Sequence, residues 1–396
     1  MNIKNPYTEY ASRPRRLNGG LSRIRKDWVQ FENLVLNRNS VFDLVRPAAF
    51  GLLDDLIPGA EITNRFLEDF PKLPLAEDIL EDIETNNDLA VWFYYPRKNH
   101  LVRYISESWH RLSLLVRNST LLQEPQRMRS WSEHRMMFEG WVIAVAGCSV
   151  GNNIAHAIVR DLRPKFIKIA DAKDFYLHNA NRVQLSYDQF GRNKAVVTAE
   201  QIHSIDPFIN ISVYEEGIHR ENLTDFISGN RYINELPADF IVEETDDPDA
   251  KIMIREEARK MQAPLLMVTD LGSAVQIDLR RFDRFPNIAL APLISDADLY
   301  AKRATWERDK ADREKFFDFA HALIGNHYKN LPELREIIEK EKPPMFAGVP
   351  QLGSTAMAAG GIAAEIVARA LLGYSLPERM LINKFTGETI TEGNRL

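Results

Sequence analysis

The chain is short of thiols. Its 396 residues hold a single cysteine, Cys148, so no disulfide can form within it and no zinc site built on paired cysteines can either. That usage suits a reducing, cytoplasmic setting, and no structural zinc is expected. Long apolar runs are missing too: nothing reaches the ~18 residues of a membrane-spanning helix, and the N-terminus lacks the charged-then-apolar order of a signal peptide. No membrane partner is expected. The nine histidines form no i,i+4 pair and no cluster with acids; only His178, beside Asn179, stands close to other polar candidates. Internal repeats and low-complexity tracts are absent. The formal charge of −6 argues against wholesale nucleic-acid binding and leaves only local basic patches open.

The length allows two domains. Residues 1–105 form an N-terminal α+β region without an assignable role. It opens with a basic arm, 1–38, where Arg13, Arg15, Arg16, Arg23, Arg25 and Lys26 crowd together. Such an arm is a solvated tail or an RNA or membrane contact. Leu89–Tyr95 reads as a buried strand. Apolar residues Trp109, Leu112, Leu115 and Val116 fall at helical spacing.

From Trp141 onwards strands and helices alternate. Strands are expected at 141–146, 166–170, 210–215, 239–244 and 264–268, and helices at 152–163, 193–204, 221–228 and 249–261. Alternation of this kind predicts right-handed βαβ units and an α/β, Rossmann-like, mostly parallel sheet flanked by helices. Ile277–Phe282 is expected as an edge strand. A charged helical insertion follows at about 296–342, and the small-residue run Thr355–Leu372 reads as a helix packed closely on the sheet. Residues 106–396 are therefore expected to form one domain.

The richest chemistry lies between Trp141 and Lys194. A buried strand ends in Gly147, Cys148 and Gly151, and a helix begins, so backbone N–H groups and the helix N-terminus can face an anion. The glycine pattern is incomplete, because Ala146 and Cys148 stand where two glycines of a dinucleotide fingerprint would fall; the turn is either a nucleotide site or a plain strand–helix junction. Asp171 ends the next strand about twenty residues on, where an acid can accept ribose hydroxyls or simply start a turn. Cys148 at a helix N-terminus is either a lowered-pKa thiol or a small residue filling the turn.

The segment Asp171-Ala-Lys-Asp-Phe-Tyr-Leu-His-Asn179-Ala-Asn-Arg182 resembles the Asp-x-Asp…Asn-x-x-Arg segment of the ThiF family, the ubiquitin-activating-enzyme-like adenylyltransferases. Lys173 stands where that pattern has its second Asp. The resemblance covers roughly 117–385, and within the family it is nearest a bacterial subgroup with an added N-terminal region. It implies that Asn179, Arg182 and Lys194 contact the phosphates of ATP, and that Asp171 holds the ribose. Glu243-Glu-Thr-Asp246-Asp247 is similar to the family's Thr-Asp-Asn, which implies Asp246 as the ligand of the Mg²⁺ that accompanies ATP; the alternative for the two acids is capping of helix 249–261. Arg117 resembles the family arginine that reaches across a homodimer to the partner's ATP. Pro350-Gln-Leu-Gly-Ser354 resembles the closing Gly-Ser helix beneath the acceptor site.

Arg182, Lys194, Asp246 and Arg117 are thus the expected catalytic residues. Gly147, Cys148, Gly151, Asp171, Asn179, Arg182 and Lys194 are the expected nucleotide-binding residues. With its only thiol inside the phosphate turn, the chain is expected to activate a carboxylate, on a peptide or a small molecule, as an acyl-adenylate without a cysteine thioester. Three rivals stay open: a non-catalytic nucleotide-binding scaffold, an NAD-dependent oxidoreductase, and a tRNA-modifying enzyme of the same family.

Overall fold

A computed structural model describes residues 15–16, 61–64, 90–95, 100–105, 140–164, 166–206, 209–230, 235–325 and 351–396. The chain divides into two compact units, one built from Gly140–Thr198 and Asn210–Leu396 with Met1–Ile3, the other from Lys4–Glu139 with Ala199–Ile209. In the second unit, strands β1 (Arg15–Arg16), β2 (Glu61–Asn64), β3 (Ala90–Tyr95) and β4 (His100–Ile105) form a four-stranded sheet in the order β1-β3-β4-β2. β3 and β4 pair antiparallel, and β2 runs parallel to β4. The strand expected at 89–95 is β3. The helically spaced Trp109, Leu112, Leu115 and Val116, the residue Arg117 and the start of the expected second domain lie outside the described residues.

The larger unit carries an eight-stranded sheet. Its strands are β5 (Val142–Ala146), β6 (Phe166–Ala170), β7 (Asn210–Tyr214), β8 (Phe240–Glu243), β9 (Leu265–Leu271), β10 (Ala274–Arg280), β11 (Pro377–Asn383) and β12 (Thr389–Arg395), in the order β12-β11-β10-β9-β8-β5-β6-β7. The five strands from β9 to β7 are parallel, and β10 to β12 add antiparallel pairs. The chain builds outward from β5 to β6 and β7, then returns to place β8 on the other side of β5. That reversal opens a crevice at the carboxyl ends of β5 and β8, the place where open α/β sheets bind ligands.

Helix α1 (Val150–Asp161) buries Ile154, Ala155, Ile158 and Val159 on one stripe, as its apolar spacing requires. It stops before Arg163, which takes a positive φ, and Pro164, which cannot continue a helix. Helix α2 spans Lys194–Ile205 and α3 spans Leu223–Ser228. Helix α4 (Pro248–Lys260) is started by Asp247, whose carboxylate accepts the Asp249 N–H, and by Pro248 in its first turn. Helices α5 (Asp296–Glu307) and α6 (Arg313–Ile324) occupy the first part of the expected charged insertion, whose remainder lies outside the described residues. Together α3 to α6 bury Phe226, Ile252, Ile254, Leu299, Trp306 and Phe319 in one cluster with Ala144, Ala146, Ala170 and Ile241 of the sheet.

Helix α7 (Gly353–Leu371) packs on α1 and on β9 and β10. Its small residues allow this: a Cβ on Gly360 would stand 2.7 Å from the Asn153 carbonyl oxygen of α1. The expected edge strand near 277–282 is corrected by the structure. β10 starts at Ala274, ends at Arg280 and pairs on both sides, with β9 and β11. The misreading has a cause: the final hairpin, β11–β12, is exposed and polar along β12, so it carries no apolar run to announce it.

Candidate active site

Four loops meet at the carboxyl end of the parallel strands. The first is the turn after β5. Gly147 has φ +96°, and a Cβ there would overlap the carbonyl of Glu244 at the end of β8. Glycine at this point is dictated by the approach of β8 to the turn as well as by backbone geometry. Cys148 is fully buried, its Sγ 3.7 Å from the Ala170 carbonyl oxygen. Burial, and then the negative charge of Asp171, push its thiol well above the ordinary cysteine range. Of the two readings of this cysteine, the burial matches the turn-filling one.

Ser149 precedes α1 without capping it by a side-chain hydrogen bond. Its hydroxyl instead accepts the Nε proton of Arg182 at 2.8 Å. This commits the Ser149 hydroxyl to Arg182 rather than to the first N–H groups of α1, and holds a guanidinium beside them. Such a helix terminus is suited to an anion.

The second loop follows β6. Asp171 accepts the N–H of Cys148 at 2.7 Å and that of Lys173 at 2.8 Å, one on each carboxylate oxygen. It ties the two loops together, so its expected ribose contact would be made with remaining lone pairs. A 3-10 turn, Leu177–Asn181, then presents Asn179 and Arg182. Asn179 is 1% exposed; its Oδ1 accepts the Tyr176 N–H at 2.8 Å, while its Nδ2 has no hydrogen-bond acceptor. A buried amide donor left open in this way costs stability unless something accepts from it. Arg182 also donates to the Asn181 side chain at 2.9 Å and, at 3.4 Å, to the His178 carbonyl. Desolvation lowers the affinity of its guanidinium for its proton, and Asp246 and Asp270 oppose that shift. The His178 ring stacks on Tyr176. Lys194, at the start of α2, is buried with its Nζ 5.8 Å from the centre of the Phe175 ring.

The third loop ends β8. Glu244 accepts the Val268 N–H of β9 at 2.6 Å and is pushed well above the usual carboxylate range by burial. Glu243 is buried between Lys251, 2.6 Å away, and Arg255, 3.2 Å away. These two acids brace the strand end. Asp246 stands beyond them with its side chain 81% exposed, 3.4 Å from the Nζ of Lys173. The neighbouring Asp247 caps α4, as one of the two alternatives for this acid pair required.

The fourth group lies at the end of β9 and the start of α7; sequence reasoning placed the Pro350–Ser354 segment here and missed Asp270. Asp270 is 3% exposed, and neither of its carboxylate oxygens has a hydrogen-bond partner. Burial raises its pKa to about 7, against the pull of Arg182 and Lys384. Lys384 donates to Ser354 Oγ at 2.7 Å, and Thr355 donates to the Gly272 carbonyl. The signal for Asp270 was present in Val268-Thr-Asp-Leu-Gly272: a single acid at the carboxyl end of a buried strand, as Asp171 is at the end of β6.

The structure thus brings Gly147, Cys148, Gly151, Asp171, Asn179, Arg182, Lys194 and Asp246 into one unit. Asn179 with its open donor, the uncapped terminus of α1 and Arg182 fit the phosphates of a nucleotide. Asp246 fits a divalent cation less simply, because an ammonium already stands beside it, and no group of three metal-ligating side chains occurs among the described residues.

Fold and site together define an α/β protein with a nucleotide-type crevice at the carboxyl ends of its central strands. The pattern of the ThiF family matches residues 142–394, and the chain belongs to that family. It is similar to a protein of Mycobacterium tuberculosis (strain CDC 1551 / Oshkosh) called uncharacterized protein MT1398, at 27% identity over 235 residues. That match takes in 58% of this chain and 29% of the longer relative. Among solved structures, PaaA is similar with TM-score 0.47 and 14% identity, over 72% of this chain and 81% of its own. MccB of E. coli with ATP gives TM-score 0.41 and 15% identity, over 66% and 65%. The E. coli tRNA N6-threonylcarbamoyladenosine dehydratase TcdA gives 0.42 and 17%, over 67% and 96%.

Proposed function

We propose that the protein is an ATP- and Mg²⁺-dependent adenylyltransferase that activates a carboxylate, on a peptide C-terminus or a small molecule, and passes it to an acceptor without a cysteine thioester. Family membership supports the reaction class. The observation that carries the reading at the site is Asn179: a buried amide with an open donor, next to the Arg182 guanidinium and the uncapped N-terminus of α1. In adenylyl transfer a carboxylate oxygen attacks the α-phosphorus of ATP and pyrophosphate leaves. Negative charge spreads over the phosphate oxygens in the transition state, and fixed donors and cations stabilise it without reorganising. Arg182, Lys194, Asn179 and the α1 N–H groups would supply that field here. Asp171 would hold the ribose while organising the turn. Asp246 would hold Mg²⁺, with the exposed Lys173 ammonium swinging away at little cost, since such surface pairs contribute about 0–1 kcal/mol.

The buried, unactivated Cys148 supports direct transfer. A homodimer in which Arg117 completes the partner's site belongs to the same reading. Calorimetry with ATP and Mg²⁺ tests it. Saturable binding is expected, weakened at least tenfold by Arg182→Ala and also reduced by Asp246→Ala. No binding to the wild type, or binding indifferent to Arg182, would sink the proposal.

The Lys173–Asp246 pair favours a second reading, a scaffold that binds nucleotide without turning it over. ATP binding that needs no Mg²⁺, with no pyrophosphate exchange for any carboxylate offered, would support it over the first.

A further inference from the structure

Asp270 is unusual among the buried acids of this unit. Glu243 is held between Lys251 and Arg255, Glu244 accepts a backbone N–H, and Asp278 receives Arg379 at 2.6 and 2.7 Å. Asp270 feels Arg182 and Lys384 electrostatically, yet neither comes within hydrogen-bond or ion-pair reach. Arg182 is turned towards Ser149 and Asn181, and Lys384 towards Ser354. A carboxylate nine-tenths buried with both oxygens open is costly unless a donor occupies the gap. Asp270 lies just before the β9–β10 turn, whose Gly272 carbonyl accepts the Thr355 hydroxyl from the first turn of α7, and it is within electrostatic range of Arg182. The cations on two sides would repel an ammonium until an anion neutralises Arg182. The gap therefore suits an N–H donor that arrives after the nucleotide.

We infer that Asp270 binds the N–H group of an amine acceptor beside the activated carboxylate and receives its proton. The inference rests on the adenylyltransferase reading. In the step, the amine lone pair forms the C–N bond at the activated carbonyl carbon. The C–O bond to the α-phosphate breaks, and AMP leaves with that electron pair. The proton shed by nitrogen passes to an Asp270 oxygen. A carboxyl group whose pKa lies near neutrality is well matched to such a transfer. The ligand class is a primary amine, and Asp270 becomes a further catalytic residue of the site.

The test uses the full chain, AMPCPP with Mg²⁺, and ethylamine as the probe, followed by calorimetry near neutral pH. AMPCPP binding is measured first. Ethylamine should then bind saturably to the AMPCPP complex, and tetramethylammonium, which has no N–H, should not. Asp270→Asn should weaken ethylamine at least tenfold while leaving AMPCPP within threefold. Lys384→Met, which keeps the carboxylate, should retain ethylamine binding. AMPCPP binding without ethylamine binding, equal binding of tetramethylammonium, or indifference to Asp270→Asn overturns the inference alone. Failure of AMPCPP itself to bind overturns the nucleotide reading and this inference with it.

Discussion

Gly353 lies against the carbonyl oxygen of Asn181, so close that any Cβ at position 353 would overlap it. The first turn of α7 is thereby seated on the 3-10 turn that presents Asn179 and Arg182. The Asn181 side chain closes the joint by donating to the Gln351 carbonyl at 3.1 Å. Gly353→Ala must push the two elements apart, and overpacking of this kind costs about 1–3 kcal/mol. Because the displaced turn carries the phosphate-facing residues, ATP affinity should fall tenfold or more while the melting temperature drops only moderately. Parallel thermal melts and calorimetry on the variant check this. Unchanged ATP affinity would mean that the seating of α7 does not position Arg182.

Lys173 and Asp246 form an exposed pair, 65% and 81% accessible. Removing the ammonium frees Asp246 for a cation. Lys173→Met should lower the Mg²⁺ concentration needed for half-maximal ATP binding about two- to fivefold, as befits a surface pair worth at most about 1 kcal/mol. Titrating Mg²⁺ at fixed ATP reads the effect directly. A rise in the Mg²⁺ requirement would show that the lysine assists the phosphates instead.

Cys148 is sealed between the β5 turn and β6. Its raised pKa leaves it as the neutral thiol, which is not the nucleophilic form. Iodoacetamide should label the native protein negligibly at neutral pH and label it fully after denaturation, as read by intact mass. Cys148→Ala should keep ATP binding within about threefold. Rapid native labelling, or a trapped thioester on Cys148, would refute direct transfer.

Asp270 should impose a pH dependence on stability. Its carboxyl ionises at an ordinary 3.8 when unfolded and at about 7 when folded. Between those values the folded state holds the extra proton, so stability from this group is full below pH 3.8 and is lost as pH rises through 7. The loss is roughly 4 kcal/mol at its fullest. Asp270→Asn should therefore melt higher than wild type at pH 8 and close to it at pH 4. A variant destabilised at pH 8 would mean that the carboxylate has a partner in the folded state. Stability gained by removing a charged group from a ligand-facing position is the usual trade between stability and function.

The grouping of Asp171, Asn179, Arg182, Lys194 and Asp246 was suggested by the resemblance to the ThiF family rather than by local spacing. Sequence alone reached the α/β class and the places of β5 to β9 and α1 to α4, which were legible because each rests on local physics. Buried parallel strands are continuous apolar runs, α1 shows its stripe, and polar residues cluster just past strand ends. What the sequence left undecided was which of two roles several residues take. Cys148 proves a turn filler because β6 and Asp171 close around it, and Asp247 proves a cap because α4 begins beside it. The tertiary structure also decided what no local pattern encodes: that Lys173 meets Asp246 from another strand, that Gly353 meets Asn181, and that Asp270 is left without a partner. Hydrogen bonds and charge pairs between distant segments depend on how strands are ordered in the sheet. That order is set by packing over the whole domain, not by the residues on either side of the one concerned.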